Sequence, residues 1–367
     1  MGFDQPKVVA AIRAFEAGEI VVVTDDDDRE NEGDLIVAAV HCTAEKMAFI
    51  IRHTSGIVCA PMTGAEAKRL NLTPMVAEND APHATAFTVS VDYKHDTTTG
   101  ISAEERTSTV RALANPNAGA GDFVRPGHVF PLVSREGGVL MRSGHTEAAT
   151  DLCRLAGLPQ VGVISELMNE DGTVMRGPQV AEFAARHGLM QVSVSELIAY
   201  RQRSESLIER IGEAKIMTLG GPATVITYTT PWDPMHHLAI VYGDIRDGRD
   251  VPVRLQIESV LDDAFGASDT LPRVMKRMAE TGRGVIVYLR EGSVGVAHVE
   301  RRSQAGMDSE DHSTARDRRN EWLEIGLGAQ ILRDLGIESI DVLASRERHY
   351  VGLEGFGIEI SKTILFE

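Results

Sequence analysis

A run of acids held between two apolar strands limits this chain's fold more than any other feature. D-D-D-D-R-E-N-E-G-D, from Asp25 to Asp34, packs seven carboxylates into ten positions. Residues 20–23 before it form a β-branched strand, and residues 34–39 after it read as a second. Alone, such a run is a solvated charge tract. Pinned between strands, it is instead a tight connection at a sheet end, where ligands commonly bind. Arg29 and Gly33 are mixed among the acids, as a metal or phosphosugar site requires. A calcium loop of the EF-hand type fails on register: counting from Asp28 makes Gly33 the sixth residue, but Ala39 stands twelfth in place of Glu. Carboxylates with one nitrogen partner suit a hard, oxygen-preferring ion such as Mg²⁺ or Mn²⁺.

The remaining pattern mixes helices and strands without clean parallel alternation, which predicts an α+β (mixed α/β) fold. Helical spacing is expected over residues 8–16, 44–53, 65–70, 147–156, 179–187 and 194–203. Strands are expected over 57–60, 85–91 and 161–168, with short elements at 126–133 and 138–141. Residues 102–113 open with Ser102 and Glu105, a capping box. At 367 residues the chain is long for a single core, so two domains are expected. The charged stretch 201–215 is poor in strand formers and reads as the linker. Beyond it come strands at 223–229, 238–242, 284–289 and 339–343, and helices at 271–281 and 324–335. A polar loop spans 292–320, and a Gly-rich segment spans 352–357.

A net charge of −17 argues against nucleic acid and anionic membranes as partners, because both repel an acidic surface. A local basic pocket for a phosphorylated small molecule stays allowed. No stretch approaches the roughly 20 apolar residues that span a bilayer, and residues 1–7 lack the features of a signal peptide. Cys42, Cys59 and Cys153 are odd in number and lack CxxC spacing, as expected of a reduced, cytoplasmic protein.

A second cluster, Arg142-Ser143-Gly144-His145-Thr146-Glu147, follows a short element and opens a helix. Amides at a helix start attract anions, and Arg142 adds a forked donor for phosphate. His145 is a candidate metal ligand beside the bland reading of a structural histidine. The H-x-E pattern of zinc deaminases lacks the P-C-x-x-C it needs here.

D-D-D-D-R-E-N-E-G-D-L, T-T-T-G-I-S-A-E-E-R-T, R-P-G-H-V-F-P-L, R-S-G-H-T-E-A and S-E-L-M-N-E-D-G together resemble 3,4-dihydroxy-2-butanone 4-phosphate synthase, over about residues 5 to 203. The resemblance implies a metal-dependent lyase that converts D-ribulose 5-phosphate to 3,4-dihydroxy-2-butanone 4-phosphate plus formate for riboflavin biosynthesis. By position, it implies that Glu30 and His145 hold Mg²⁺ or Mn²⁺. Arg29, Glu30, Asp34, Arg142, Ser143, Gly144, His145, Thr146 and Glu166 would bind the sugar phosphate. Glu30, Asp34, His128 and Glu166 would be catalytic, with the first general base left open between Asp34 and Glu166. Thr97-Thr98-Thr99-Gly100 and the acidic loop are expected to order over substrate. A homodimer is also implied. Ser165 departs from the family's frequent Cys.

P-V-R-L-Q-I-E-S-V-L-D-D-A-F-G-A, G-R-G-V-I-V-Y-L-R-E-G and G-L-G-A-Q-I-L-R-D-L-G-I resemble GTP cyclohydrolase II, over about residues 210 to 367. That family holds zinc with three cysteines, whose positions read Ser259, Thr270 and Pro272 here. The family's catalytic arginine falls at Leu323. His298 and His312 are the nearby histidines that could rebuild a site. The expected organisation is a synthase domain at 1–205 and a catalytically inactive cyclohydrolase II-like domain at 206–367, without zinc. The alternatives are a bifunctional enzyme that also opens GTP, and a non-catalytic sensor.

Overall fold

Strands that are apolar on both faces need cover on both sides, and the N-terminal part of the chain is built that way. The computed structural model describes residues 5–25, 30–81, 85–95, 97–266, 268–290, 326–344 and 357–365. Two units separate within it, Met1–Arg201 and Gln202–Glu367. In the first, α1 (Gln5–Glu16), β1 (Val21–Thr24), β2 (Gly33–Ala38), α2 (Ala44–His53), β3 (Cys59–Met62), α3 (Gly64–Arg69) and β4 (Val91–Tyr93) come first. Next are α4 (Ala103–Leu113), β5 (Phe123–Val133), α5 (His145–Leu155), β6 (Gly162–Glu166), α6 (Pro178–His187), β7 (Met190–Ser193) and α7 (Val194–Ser204).

The strand period of two sends neighbouring residues to opposite faces. Val21, Val23, Ile36 and Ala38 pack with Val8 and Phe15 of α1, Leu152 of α5 and Leu197 of α7. Val22, Leu35 and Val37 pack the other way, against Met47 and Ile50 of α2, Val110 and Leu113 of α4, and Phe183 of α6. Each such fully buried side chain contributes about 1.5–3 kcal/mol, so the mixed sheet, ordered β4-β5-β3-β6-β2-β1-β7, is held from both sides.

The second unit carries its own sheet, ordered β14-β13-β11-β12-β10-β9-β8. It is formed by β8 (Glu209–Thr218), β9 (Gly221–Thr230), β10 (Asp233–Tyr242), β11 (Val251–Ile257), β12 (Gly284–Leu289), β13 (Ser339–Ala344) and β14 (Glu359–Leu365). Helices α8 (Val260–Asp263) and α9 (Thr270–Thr281) follow β11, and α10 (Gly328–Asp334) precedes β13. Val274 and Met278 of α9 close one apolar cluster with Ile240, Tyr242 and Ile286.

The mixed α/β class expected from the pattern holds in both units. Several elements differ from the sequence reading. The strand expected at 85–91 is reduced to isolated bridges at Phe87 and Thr88 before β4 begins at Val91. The element at 126–133 is the end of the longer β5, and 138–141 is a single 3₁₀ turn, Gly138–Leu140. Strands β7, β8, β11 and β14 have no counterpart in the pattern. Much of 201–215 is strand β8, an edge strand exposed along almost its whole length, so no apolar alternation marks it. The loop at 292–320 and most of 352–357 lie outside the described residues, as does the start of the helix expected at 324.

Candidate active site

The sheet register gathers the acidic residues before any side chain is considered. Asp34 on β2 is directly opposite Glu166 on β6, and Cys59 on β3 is level with both Ile164 on β6 and Phe130 on β5. Carrying that register two residues further brings His128, Ile57, Glu166 and Asp34 to one row at one sheet end. Ser55 N donating to Glu166 O and Ser165 Oγ donating to Ile57 O tie the row together. The N-terminus of α5 meets the same end. His145, its first residue, has Nδ1 3.9 Å from Asp34 Oδ1 and 4.0 Å from Glu30 Oε2.

Asp25, at the start of the acidic run, is the residue the sequence reading did not single out. It is buried, and its carboxylate accepts from Glu30 N at 3.2 Å and Glu32 N at 2.9 Å. Asn31 takes a left-handed conformation, which Asn tolerates, so the chain turns back between those two amides. One ligand atom each from Asp25, Glu30 and His145 lies within 4.8 Å of the others. Arg29 is outside the described residues.

Crowding and burial act in the same direction. Burial holds Asp34 well above the usual carboxylate range, and the charges of Glu166, Glu30, Asp25 and Glu32 push it further. Burial and then Glu30 raise Glu166, partly offset by a hydrogen bond from Ser55. Burial, Glu30 and Glu166 raise Glu32, against the pull of Arg176. Asp34 Oδ1 is buried with no hydrogen-bond partner among the described residues. Several carboxylates around one imidazole, with an unsatisfied buried oxygen, fit a divalent cation of the Mg²⁺ or Mn²⁺ type.

The motif leading into α5 is arranged around Glu147. Arg142 Nη1 donates to Glu147 Oε2 at 2.7 Å and Nη2 to Thr85 Oγ1 at 3.0 Å, while Arg135 N donates to Glu147 Oε1. A Cβ on Gly144 would lie 2.6 Å from Arg142 Nη1, so glycine lets the guanidinium pass. Ser143 and Gly144 lead into His145 and the buried Thr146, whose first-turn amides lack partners within the helix by geometry. This corner suits an anion, though Arg142 is already engaged by internal bonds and is not a purely outward fork.

His128 belongs to the same row but is tethered elsewhere, to Asp92 on β4. Thr98 donates through both its amide and hydroxyl to Glu105, so the T-T-T-G segment is fixed to the start of α4.

In the second unit the three positions where the related family has zinc cysteines offer poor donors. Ser259 Oγ donates to Asp262 Oδ2 at 2.8 Å, the Thr270 hydroxyl lies 2.8 Å from Ser268 Oγ, and Pro272 has no donor atom. Zinc sites are built from thiolate, imidazole and carboxylate, so these residues do not fit the metal. Leu323, His298 and His312 lie outside the described residues.

The family model for 3,4-dihydroxy-2-butanone 4-phosphate synthase matches residues 9–200, and that for GTP cyclohydrolase II matches 209–365. The riboflavin biosynthesis protein RibBA of Salinispora arenicola is 43% identical, covering 96% of this chain and 86% of the relative. A protein of Arabidopsis thaliana described as monofunctional riboflavin biosynthesis protein RIBA 2, chloroplastic, is 44% identical over 96% of this chain and 75% of its own. Among solved structures, RibBX of A. baumannii, described as a two-domain synthase, superposes with a TM-score of 0.81 at 35% identity, covering 98% of this chain and 99% of that one. A synthase in complex with two magnesium ions matches 54% of this chain and 97% of its own, at 46% identity and a TM-score of 0.53. Register, acid cluster and helix start thus coincide with the matched segment, and the chain belongs to the 3,4-dihydroxy-2-butanone 4-phosphate synthase family, in the form that carries a GTP cyclohydrolase II domain behind the synthase.

Proposed function

We propose that residues 1–205 are a lyase domain converting D-ribulose 5-phosphate to 3,4-dihydroxy-2-butanone 4-phosphate and formate, and that residues 206–367 no longer open GTP. The observation that carries the first part is the meeting of Glu30, Asp34, Glu166 and His145 in one corner beside the start of α5. The two products together contain every atom of the pentulose phosphate, so the protein is asked only to move protons and hold charge. Glu30 and His145, with Asp25 as a third ligand, would hold Mg²⁺ or Mn²⁺, which when bound supplies Lewis acidity to the sugar oxygens. Asp34 and Glu166, whose carboxyls are pushed upward by burial and neighbouring acids, would be the candidates to take the proton beside the ketone. Arg142 and the amides of Ser143 to Thr146 would receive the phosphate, together with Arg29. His128 would exchange protons at the rearranging carbons.

The second part rests on Ser259, Thr270 and Pro272, which cannot replace three thiolates, and on Leu323 in place of arginine. It accords with relatives described as monofunctional and as a two-domain synthase. No helix among the described residues is long and apolar enough to cross a membrane, and the three cysteines are buried and unbridged. A cytoplasmic homodimer acting on a small molecule is the setting we assign.

The test is formate release by the purified full chain with Mg²⁺. Formate from ribulose 5-phosphate and none from GTP is the expected result. Silence toward ribulose 5-phosphate overturns the first assignment. Formate from GTP, with one zinc per chain by elemental analysis, overturns the second and makes the enzyme bifunctional.

A further inference from the structure

We propose that Asp92 is the positioning residue of His128, locking its imidazole in the tautomer that carries hydrogen on Nδ1 and leaves Nε2 as the acceptor. This rests on the reading of His128 as a proton-transfer group. Asp92 grips His128 twice: Oδ2 lies 2.7 Å from the ring Nδ1, and Oδ1 accepts from the His128 backbone amide at 2.8 Å. A carboxylate that is ionised only accepts, so the ring must donate from Nδ1. Which nitrogen of a neutral imidazole is the base is set by the bond its other nitrogen makes. The Asp92 side chain is 7% exposed and the His128 side chain 42% exposed, so the clamp is buried while much of the ring is solvent-accessible.

The surrounding backbone is shaped around this pair. The β4–β5 register jumps between Val91↔Val129 and Asp92↔Val124, so the R-P-G-H stretch bulges out of the ladder. Asp92 and Ser90 side chains take over the amides that the bulge leaves unpaired, at His128 and Gly127. Residue 127 must be glycine, since a Cβ there would lie 2.0 Å from the Val91 carbonyl carbon. Gly100, at φ +85, closes over the carboxylate so tightly that a Cβ would sit 2.1 Å from Asp92 Oδ2. The buried Arg106 guanidinium is attracted by Asp92, an attraction that works against the effect of its burial. Two of the sequence motifs, T-T-T-G-I-S-A-E-E-R-T and R-P-G-H-V-F-P-L, thus converge on one carboxylate that touches no proposed substrate atom itself.

A role confined to capping the bulge would need only the bond from Oδ1 to the backbone amide. Asp92→Asn keeps that acceptor and the shape of the side chain, but its amide nitrogen donates to Nδ1 and moves the ring hydrogen to Nε2. We expect long-range ¹⁵N–¹H spectra of the full chain, at a pH where the ring is neutral, to show His128 protonated on Nδ1 in the parent and on Nε2 in Asp92→Asn. His128→Gln assigns the signal. Turnover of ribulose 5-phosphate should fall about 10²–10⁴-fold in kcat with KM held, and Asp92→Glu should recover part of it. An unchanged tautomer, or parent-like kcat in Asp92→Asn, overturns the proposal. Parent-like turnover in His128→Gln overturns the reading of His128 instead, and the tautomer still reports on Asp92.

Discussion

At the scale of single residues, the site is a balance between like charges and what neutralises them. Asp34 is fully enclosed and faces several acids, a placement that costs stability unless a cation or protons relieve it. Glu30→Gln and His145→Ala should therefore each lower turnover by at least about 100-fold and weaken Mn²⁺ binding measured by paramagnetic resonance, while the melting temperature holds or rises. Near-parent formate release by either variant would remove it from the metal site. Glu30, Asp34 and His145 stand out in the sequence, as an acidic run between apolar strands and a histidine opening a helix, whereas Glu166 is marked only by the resemblance. Asp25 was visible only as one acid in a run, since its part depends on a turn that brings the amides of Glu30 and Glu32 back to it. Asp92 left no mark at all: a lone acid in V-D-Y gains meaning only from a histidine 36 positions away.

At the scale of elements, the start of α4 joins local capping to the site. The capping box read from Ser102 and Glu105 is present, and Glu105 also accepts twice from Thr98. These bonds, from Thr98 first and Ser102 next, lower the Glu105 carboxyl to about 2 from its ordinary 4.5. A lowered folded value means the stabilisation is present above the unfolded value and drains away as pH falls from 4.5 toward about 2. Thermal melts across that window should show Glu105→Gln less stable than the parent near neutrality, with the gap closing in acid; a gap independent of pH would refute this account. Helices and doubly apolar strands such as β1 and β2 declared themselves by period. Edge strand β8 did not, because exposed E-R-I-G-E-A-K carries no burial alternation, and β11 was obscured by Pro252, Arg254 and Gln256 between its inward Val251, Val253 and Leu255.

At the scale of the whole molecule, a buried ion pair defines where the first unit must end. Arg201 on α7 donates to Asp151 Oδ2 at 2.8 Å and to the Gly137 carbonyl, and both side chains are nearly enclosed. Removing one partner of such a pair costs about 3–5 kcal/mol. A chain ending at Arg203 should fold and release formate like the parent, whereas one ending at Ile198 should melt well below it. Equal melting of the two would mean that α7 contributes nothing through Arg201, and an inactive Arg203 product would show that the second unit is required.

The position of β1 between β2 and β7 has a consequence for how the protein is made. Its antiparallel neighbour follows at once, but its parallel neighbour does not: Thr24 pairs with Ser193. At synthesis rates of ~5–20 residues per second, that partner emerges roughly 10–30 s later. Until His145 and then β6 with Glu166 emerge within that interval, the acidic segment is joined only to the two-stranded β1–β2 ribbon. Closing so long a loop makes completion of the sheet slow, so the corner proposed to bind the ion waits for α5 and β6, while the sheet edge beyond β1 waits longer still for β7.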